Sequence, residues 1–168
     1  MNVEVVEAAE EDRGLIENLA QLYVHDFSEI LGFDVGPSGR FEPPAALREW
    51  PTEQRRCFII RADGCPAGFA LVGMYSVLSQ STDVTDMNEF FVLRKCRRHG
   101  VGRTAAHKLF DMFPGRWEVR EVGPNVAAQA FWRKIIGDYT GGNYEEQIVD
   151  GRRGPGPVQS FVSGGRKI

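Results

Sequence analysis

"RKCRRHGVGRTAAHKLF", residues 94–110, holds four arginines, two lysines and two glycines one residue apart, with no acid among them. The whole chain is acidic, 20 Lys and Arg against 23 Asp and Glu, for a net charge of −3. The basic stretch therefore reads as a local device rather than part of a general nucleic-acid or membrane surface. Just before it, "DMNEFFVL" (Asp86–Leu93) turns from polar to continuously apolar, as a central strand buried on both faces does. Just after it, the pattern predicts a helix from about Gly100 to Met112. The first N–H groups of a helix lack intrahelical acceptors, and the macrodipole adds partial positive charge there. Glycine lets an anion approach the backbone closely, and the guanidinium of Arg97, Arg98 or Arg103 suits phosphate geometry. The stretch reads as a pyrophosphate cradle, with a tight turn carrying solvated charge as the plainer alternative.

Working outward, Val3–Ala8 reads as a strand and Arg13–Ile30 as a helix, since Leu15, Leu19, Leu22, Tyr23 and Phe27 recur at helical spacing. Asp12 is placed to cap that helix. "GFDVGPSGRFEPP" (residues 32–44), with three glycines and three prolines, reads as a long loop, and a short helix is expected around Ala45–Trp50. Two β-rich runs, Cys57–Ala62 and Ala67–Val77, flank the turn pair Asp63-Gly64 and predict a hairpin. Further on come a strand at Arg116–Val122, a helix at Asn125–Ile136, and closing strands at 142–150 and 156–163 around "GRRGPGP". No repeat or long linker divides the chain, so one α/β domain over residues 1–168 is expected.

Other classes fit less well. A P-loop needs GxxxxGK[ST], which "GVGRTAAHK" lacks. A dinucleotide fold has no room, because more than half the chain precedes the glycine turn, although Ala105 would be tolerable at the third glycine position. Three cysteines without CxxC spacing, and no basic-then-apolar leader, read as reduced thiols in a cytoplasmic protein. No apolar run reaches the roughly 18–20 residues that cross a bilayer, and no His/Cys/Asp/Glu cluster suggests a metal.

Arg97-Arg98-His99-Gly100-Val101-Gly102 resembles the pyrophosphate motif [QR]-x-x-G-x-[GA] of the GNAT superfamily of acyl-CoA-dependent N-acyltransferases. "NVAAQAFWRK" resembles that family's downstream motif, matched at Asn125, Ala128, Phe131, Trp132 and Lys134. The resemblance spans about Val3 to Val162 and looks most like a bacterial branch. It implies a mixed, mostly antiparallel sheet flanked by helices, with a splayed central strand pair, and acetyl-CoA as acyl donor. It further implies that the backbone of Phe91, Val92 and Leu93 pairs with the pantetheine arm, and that the segment Arg97, Arg98, His99, Gly100, Val101, Gly102, Arg103 and Thr104 holds the pyrophosphate. Asn125 would face the pantetheine, with Ala128 and Trp132 beside the cofactor and Phe131 and Lys134 at its adenine or 3′-phosphate end. The Val92 N–H would be the oxyanion donor.

Acyl transfer needs a neutral amine, a donor for the tetrahedral oxyanion, and a leaving thiolate. Two acids on the Asp86–Leu93 strand qualify as general base. Glu89, beside Phe90 and Phe91, is favoured over Asp86, whose register matches a catalytic Glu of some family members. The structural alternative for either is a strand-end acid paired with an arginine. Trp132 occupies the position of the family's usual general acid, a Tyr, and an indole cannot give up a proton at useful pH. Tyr139 is the substitute candidate and Tyr144 a weaker one, though packing explains both more simply. Departure of an unassisted thiolate is also feasible. His25 and His107 lack a nucleophile partner and read as packing or surface residues, and Cys96 as an incidental thiol.

The acceptor zone of such a fold would draw on Tyr23, Asp26, Phe27, Glu29, Phe33 and Asp34. Aromatics with acids suit a cationic amine, although an ordinary amphipathic helix has the same pattern. The expected acceptor is a small-molecule amine or a peptide or protein amine, with no nucleic acid or membrane partner, on a monomer or homodimer. Two other functions compete: a noncatalytic acyl-CoA-binding module, suggested by Trp132, and a nucleic-acid binder, disfavoured by the net charge and the lack of a base-stacking aromatic stripe.

Overall fold

A computed structural model describes residues 1–151 and 154–164, so Arg152 and Arg153 of the expected final turn lie outside the described residues. Among the described residues, seven strands and four helices follow in the order β1 (Val3–Glu7), α1 (Arg13–Leu31), α2 (Ala45–Arg48), β2 (Arg55–Ala62), β3 (Cys65–Met74), β4 (Thr85–Val92), α3 (Val101–Met112), β5 (Gly115–Arg120), α4 (Val126–Thr140), β6 (Glu145–Val149) and β7 (Gly156–Ser163). The strands hydrogen-bond in the order β1-β2-β3-β4-β5-β7-β6. The pairs β1–β2, β5–β7 and β6–β7 are antiparallel. The pair β4–β5 is parallel and covers only Thr85–Met87 against Trp117–Val119, while β4 itself continues to Val92. This is the mostly antiparallel α/β sheet with a splayed central pair that the resemblance implies.

Two compact units share the chain, Met1–Val72 with Glu89–Gly102, and Gly73–Asn88 with Arg103–Ile168. In the first, α1 buries Ile16, Leu19, Ala20, Tyr23 and Val24 in one core with Cys57 and Ile59 of β2, Phe69 and Leu71 of β3, and Phe91 of β4. Each large apolar side chain so buried contributes about 1.5–3 kcal/mol. The Asp63-Gly64 turn has both residues in the left-handed region, φ 50° and 78°, as a two-residue hairpin requires. At Gly68 of β3, a Cβ would stand 1.9 Å from the Phe91 carbonyl oxygen, so only glycine allows β4 this close.

In the second unit, the Phe110 ring of α3 packs edge-on against Trp117 at 5.0 Å, Phe161 at 4.8 Å and Tyr139 at 5.1 Å. β3 ends at Met74, three residues earlier than expected, because the next residues bond elsewhere. The Tyr75 N–H donates to Asp86 Oδ1 (3.1 Å), and the Ser76 hydroxyl (2.5 Å) and Val77 N–H (2.8 Å) donate to the buried Glu118 carboxylate. α4 runs one turn further than expected, to Thr140, and stops at Gly141, whose φ is 66°. Asp12 occupies the N-cap position of α1 without capping it, because its carboxylate accepts the Ala9 N–H instead (3.0 Å).

Candidate functional site

After β4 the chain makes one 3-10 turn, Arg94–Cys96, and then a loop into α3. Arg98 and Gly100 are both left-handed, φ 63° and 80°, on either side of His99. An arginine in that region costs about 1 kcal/mol, so the loop holds a conformation that its local preferences resist. Among the described residues, none accepts a hydrogen bond from the N–H of Arg98, His99 or Gly100. All three residues are exposed, and Val101, fully buried, anchors the first turn of α3 behind them. Exposed amides leading into the positive end of a helix fit a pyrophosphate. Arg103 and Thr104 are exposed in that first turn, and Gly102 is half-buried.

The arginine side chains have other work. Arg97 Nε donates to the Val92 carbonyl (2.7 Å), Nη2 reaches Asp26 Oδ2 (2.5 Å), and the guanidinium lies 5.7 Å from the Phe91 ring centre. Arg94 Nε donates to Asp26 Oδ1 (2.9 Å). Burial alone would raise the Asp26 pKa, but the hydrogen bonds from Arg94 and Arg97 outweigh it and hold the carboxyl below its ordinary range. Arg103 lies 3.8 Å from Asp138, and Lys134 3.5 Å from the same carboxylate. Much of the charge that makes the sequence stretch conspicuous is thus balanced by acids of this chain.

The Leu93 N–H donates to the Ala67 carbonyl of β3 (2.8 Å), and the Phe91 carbonyl also faces β3 at Gly68. Strand alternation then turns the Val92 N–H to the opposite edge, beyond the three residues of β4 that pair in parallel. Of the three backbone positions expected to meet the pantetheine, Val92 is the one oriented away from β3.

The two acids of β4 are held differently. Glu89 is half-buried and accepts a hydrogen bond from the Tyr23 hydroxyl of α1. The Tyr23 ring is enclosed by Phe27 (4.8 Å), Phe69 (5.7 Å) and Phe91 (5.8 Å). Asp86 accepts from the Tyr75 N–H and from the Asn88 side-chain amide. A Cβ on Gly73 would stand 2.5 Å from Asp86 Oδ1, so the glycine makes room for this carboxylate.

Among the α4 residues, Asn125 Oδ1 accepts the Ala128 N–H (3.1 Å), which makes it the helix N-cap. Trp132 is buried against Phe131 (5.0 Å) and Phe110 (6.4 Å), and Lys134 is exposed. The Tyr139 hydroxyl donates to Asp111 (2.6 Å), and its ring packs on His107 (5.1 Å) and Phe110. His107 hydrogen-bonds the Ile135 carbonyl (3.0 Å), in keeping with a packing role, and His25 is exposed. The three cysteines are free, and burial pushes the Cys57 thiol up to about 12. Among the described residues, no group of His, Cys, Asp and Glu is arranged to hold a metal, and no helix is long and apolar enough to cross a membrane.

Two buried acids escaped sequence reasoning, Glu118 and Glu121, each 5% exposed. Alternation in the Arg116–Val122 strand marks Glu118 as solvent-facing, whereas Glu121 falls in step with Trp117 and Val119, a signal of burial that the sequence does carry. Gln159 Nε2 donates to Glu121 Oε2 (3.2 Å) and to Glu146 Oε2 (2.7 Å), and Arg133 forks onto Glu146 with two 2.8 Å bonds. Burial pushes the Glu121 carboxyl up to about 8; the Gln159 hydrogen bond opposes the rise and the Glu146 charge adds to it. Among the described residues, Glu121 Oε1 and Gln159 Oε1 are buried without partners, and a proton on the Glu121 carboxyl supplies a donor where two such oxygens lie.

The sequence pattern of the acetyltransferase (GNAT) family matches residues 16–137. No curated protein sequence matches the chain. Among solved structures, an acetyltransferase from Thermus thermophilus aligns with a TM-score of 0.66 at 14% identity, covering 96% of this chain and 97% of that one. The aminoglycoside acetyltransferase AAC(6')-Ib in complex with coenzyme A aligns with a TM-score of 0.66 at 16% identity, covering 96% and 95%. The ribosomal-protein-S18-alanine N-acetyltransferase from Escherichia coli aligns with a TM-score of 0.61 at 14% identity, covering 99% of each chain. At these identities the likeness is one of fold.

Proposed function

The chain belongs to the acetyltransferase (GNAT) family, and from that premise we propose that it is an acetyl-CoA-dependent N-acetyltransferase that acts on a primary amine, with Glu89 as general base. The observation that carries the reading is the exposed loop Arg98–Gly100, with N–H groups that meet no acceptor among the described residues, one 3-10 turn after a strand bearing a half-buried carboxylate. The pyrophosphate is held mainly by backbone N–H groups through Gly102 and Arg103, since Arg97 is bonded to Asp26 and Val92. Asn125, Ala128, Phe131, Trp132 and Lys134 are assigned to the rest of the CoA moiety by family likeness.

Acetyl-CoA supplies the activated thioester. Glu89 takes one proton from the acceptor ammonium, leaving a neutral amine whose lone pair forms the new C–N bond. The Val92 N–H stabilises the oxyanion that develops on the carbonyl oxygen. The C–S bond then breaks, and the departing thiolate carries off the second nitrogen proton. One proton remains on Glu89 and passes to solvent. Tyr139 has no part in this scheme, because its hydroxyl proton is directed to Asp111. The acceptor class is a small-molecule amine or a peptide or protein amine; fold neighbours include acetyltransferases of an aminoglycoside and of a ribosomal-protein alanine.

Calorimetry with acetyl-CoA tests the cradle. The wild type is expected to bind, and Gly102→Asp, which sets a negative charge at the positive end of α3, is expected to lose at least about tenfold in affinity. Failure of the wild type to bind would overturn the reading. Trp132 in place of a general-acid tyrosine favours a second reading, a noncatalytic acyl-CoA-binding module. Turnover of any amine in a panel of primary amines separates the two.

A further inference from the structure

Tyr23 and Glu89 lie far apart in sequence and meet through one hydrogen bond, from the phenol to Glu89 Oε2. Phe27, Phe69 and Phe91 enclose the Tyr23 ring, so a phenylalanine at position 23 would fill the same space. The hydroxyl adds nothing to that packing, and burying it costs free energy unless it is bonded. Its placement makes sense through the carboxylate. A phenol locked by three rings is a fixed donor, and a donated hydrogen bond favours the ionised form of a carboxyl group.

We propose that Tyr23 is a positioning residue for acyl transfer, whose hydroxyl fixes the orientation of the Glu89 carboxylate and sets its affinity for the amine proton. The proposal rests on Glu89 being the general base. The charged groups near this part of the unit include Asp26 and Glu29 of α1 and Arg94 and Arg97 after β4; Asp26 is held by both arginines, and Glu29 acts on Arg94. From β3, Phe69 and Leu71 are apolar. Tyr23 donates to Glu89 directly, so its loss bears on the charge state of that carboxyl.

The test follows the Glu89 carboxyl by carbon-13 NMR in protein labelled at glutamate, with the signal assigned by its absence in Glu89→Gln. Tyr23→Phe, which keeps the ring, is expected to melt within a few degrees of wild type and to raise the Glu89 titration midpoint by about one pH unit. The acid limb of kcat/KM should move up by the same amount, with acetyl-CoA as donor and benzylamine, spermidine and a glycyl peptide as acceptor probes. An unmoved Glu89 titration in a folded Tyr23→Phe protein overturns the role of Tyr23 and leaves the base assignment intact. Full turnover by Glu89→Gln overturns both, while acetyl-CoA binding by the same variant keeps the donor site separate from that failure.

Discussion

Glu89 and Asp86 stand three residues apart on β4, and the donors that hold them differ in kind. Asp86 is bonded by a backbone amide, from Tyr75, and by the Asn88 carboxamide, neither of which gives up a proton at ordinary pH. Its carboxylate is a fastening that ends β3 and depends on the space left by Gly73. Glu89 is held by a phenol on another element, inside an aromatic enclosure. A carboxylate with an oriented hydroxyl donor is suited to exchanging protons; one fixed by amides is suited to staying an anion. The donors, rather than register in a motif, are what favour Glu89 over Asp86 as the proposed base.

The sharpest way to break this contrast is to neutralise each acid. Glu89→Gln is expected to lower kcat/KM by about 10²–10⁴-fold, the usual range for a general base, with acetyl-CoA affinity within about twofold by calorimetry. Asp86→Asn should cost less than about tenfold in rate and show its effect in the melting temperature. Equal rate losses would collapse the distinction.

A smaller effect separates acids that work as anions from one that is protonated. Glu121 has its pKa raised by burial to about 8 from an ordinary 4.5. Between those values the native state keeps a proton that the unfolded chain has released, so stability falls as pH rises through that window, and the loss is complete above about 8. Glu121→Gln, neutral at every pH, should remove this slope. The expected gain at pH 9 is about 2 kcal/mol, or several degrees in Tm, shrinking toward pH 5. A melting curve with the same pH dependence as wild type would show that Glu121 is charged in the native protein.

The smallest effect concerns Asp26, whose pKa is depressed by Arg94 and Arg97 against the opposing effect of burial. Its contribution is present above its unfolded pKa of about 4 and is lost as pH falls through the lower native value. Asp26→Asn is expected to cost about 1 kcal/mol at neutral pH, since both arginines are well exposed. It should also flatten the acid side of the stability profile, read by denaturant unfolding between about pH 5 and 3.

The fold was largely legible because its signals are local. Helical spacing in α1, the Asp63-Gly64 turn, and the polar-to-apolar change along β4 each need fewer than twenty neighbouring residues to read. The misplaced boundaries have non-local causes. β3 stops at Met74 because Asp86 and Glu118, residues of later strands, take the hydrogen bonds of Tyr75, Ser76 and Val77. The same holds for the site. The glycine junction on which the proposed cradle rests stands out in "GVG", since glycine at a strand-to-helix junction has a local meaning. That Arg94 and Arg97 answer to Asp26, and Glu89 to Tyr23, was not visible, because these partners lie 66–71 residues apart. Glu118 was hidden because it falls on the charged face of its strand and is buried by Ser76 and Val77, while Glu121 stands in step with Trp117 and Val119, where alternation does mark an inward position.

Tyr23 and Asp26 are three residues apart on α1 and therefore share one side of the helix. One contact leads to Glu89, the proposed proton acceptor, the other to Arg94 and Arg97, beside the proposed anion loop. In the proposed scheme a single turn of helix is thus a common bearing for two functions encoded in separate parts of the chain. A roll of α1 by even a fraction of a turn would disturb donor binding and proton transfer together. Substitutions along its buried seam, at Leu19 or Ala20, would then couple the two without touching either.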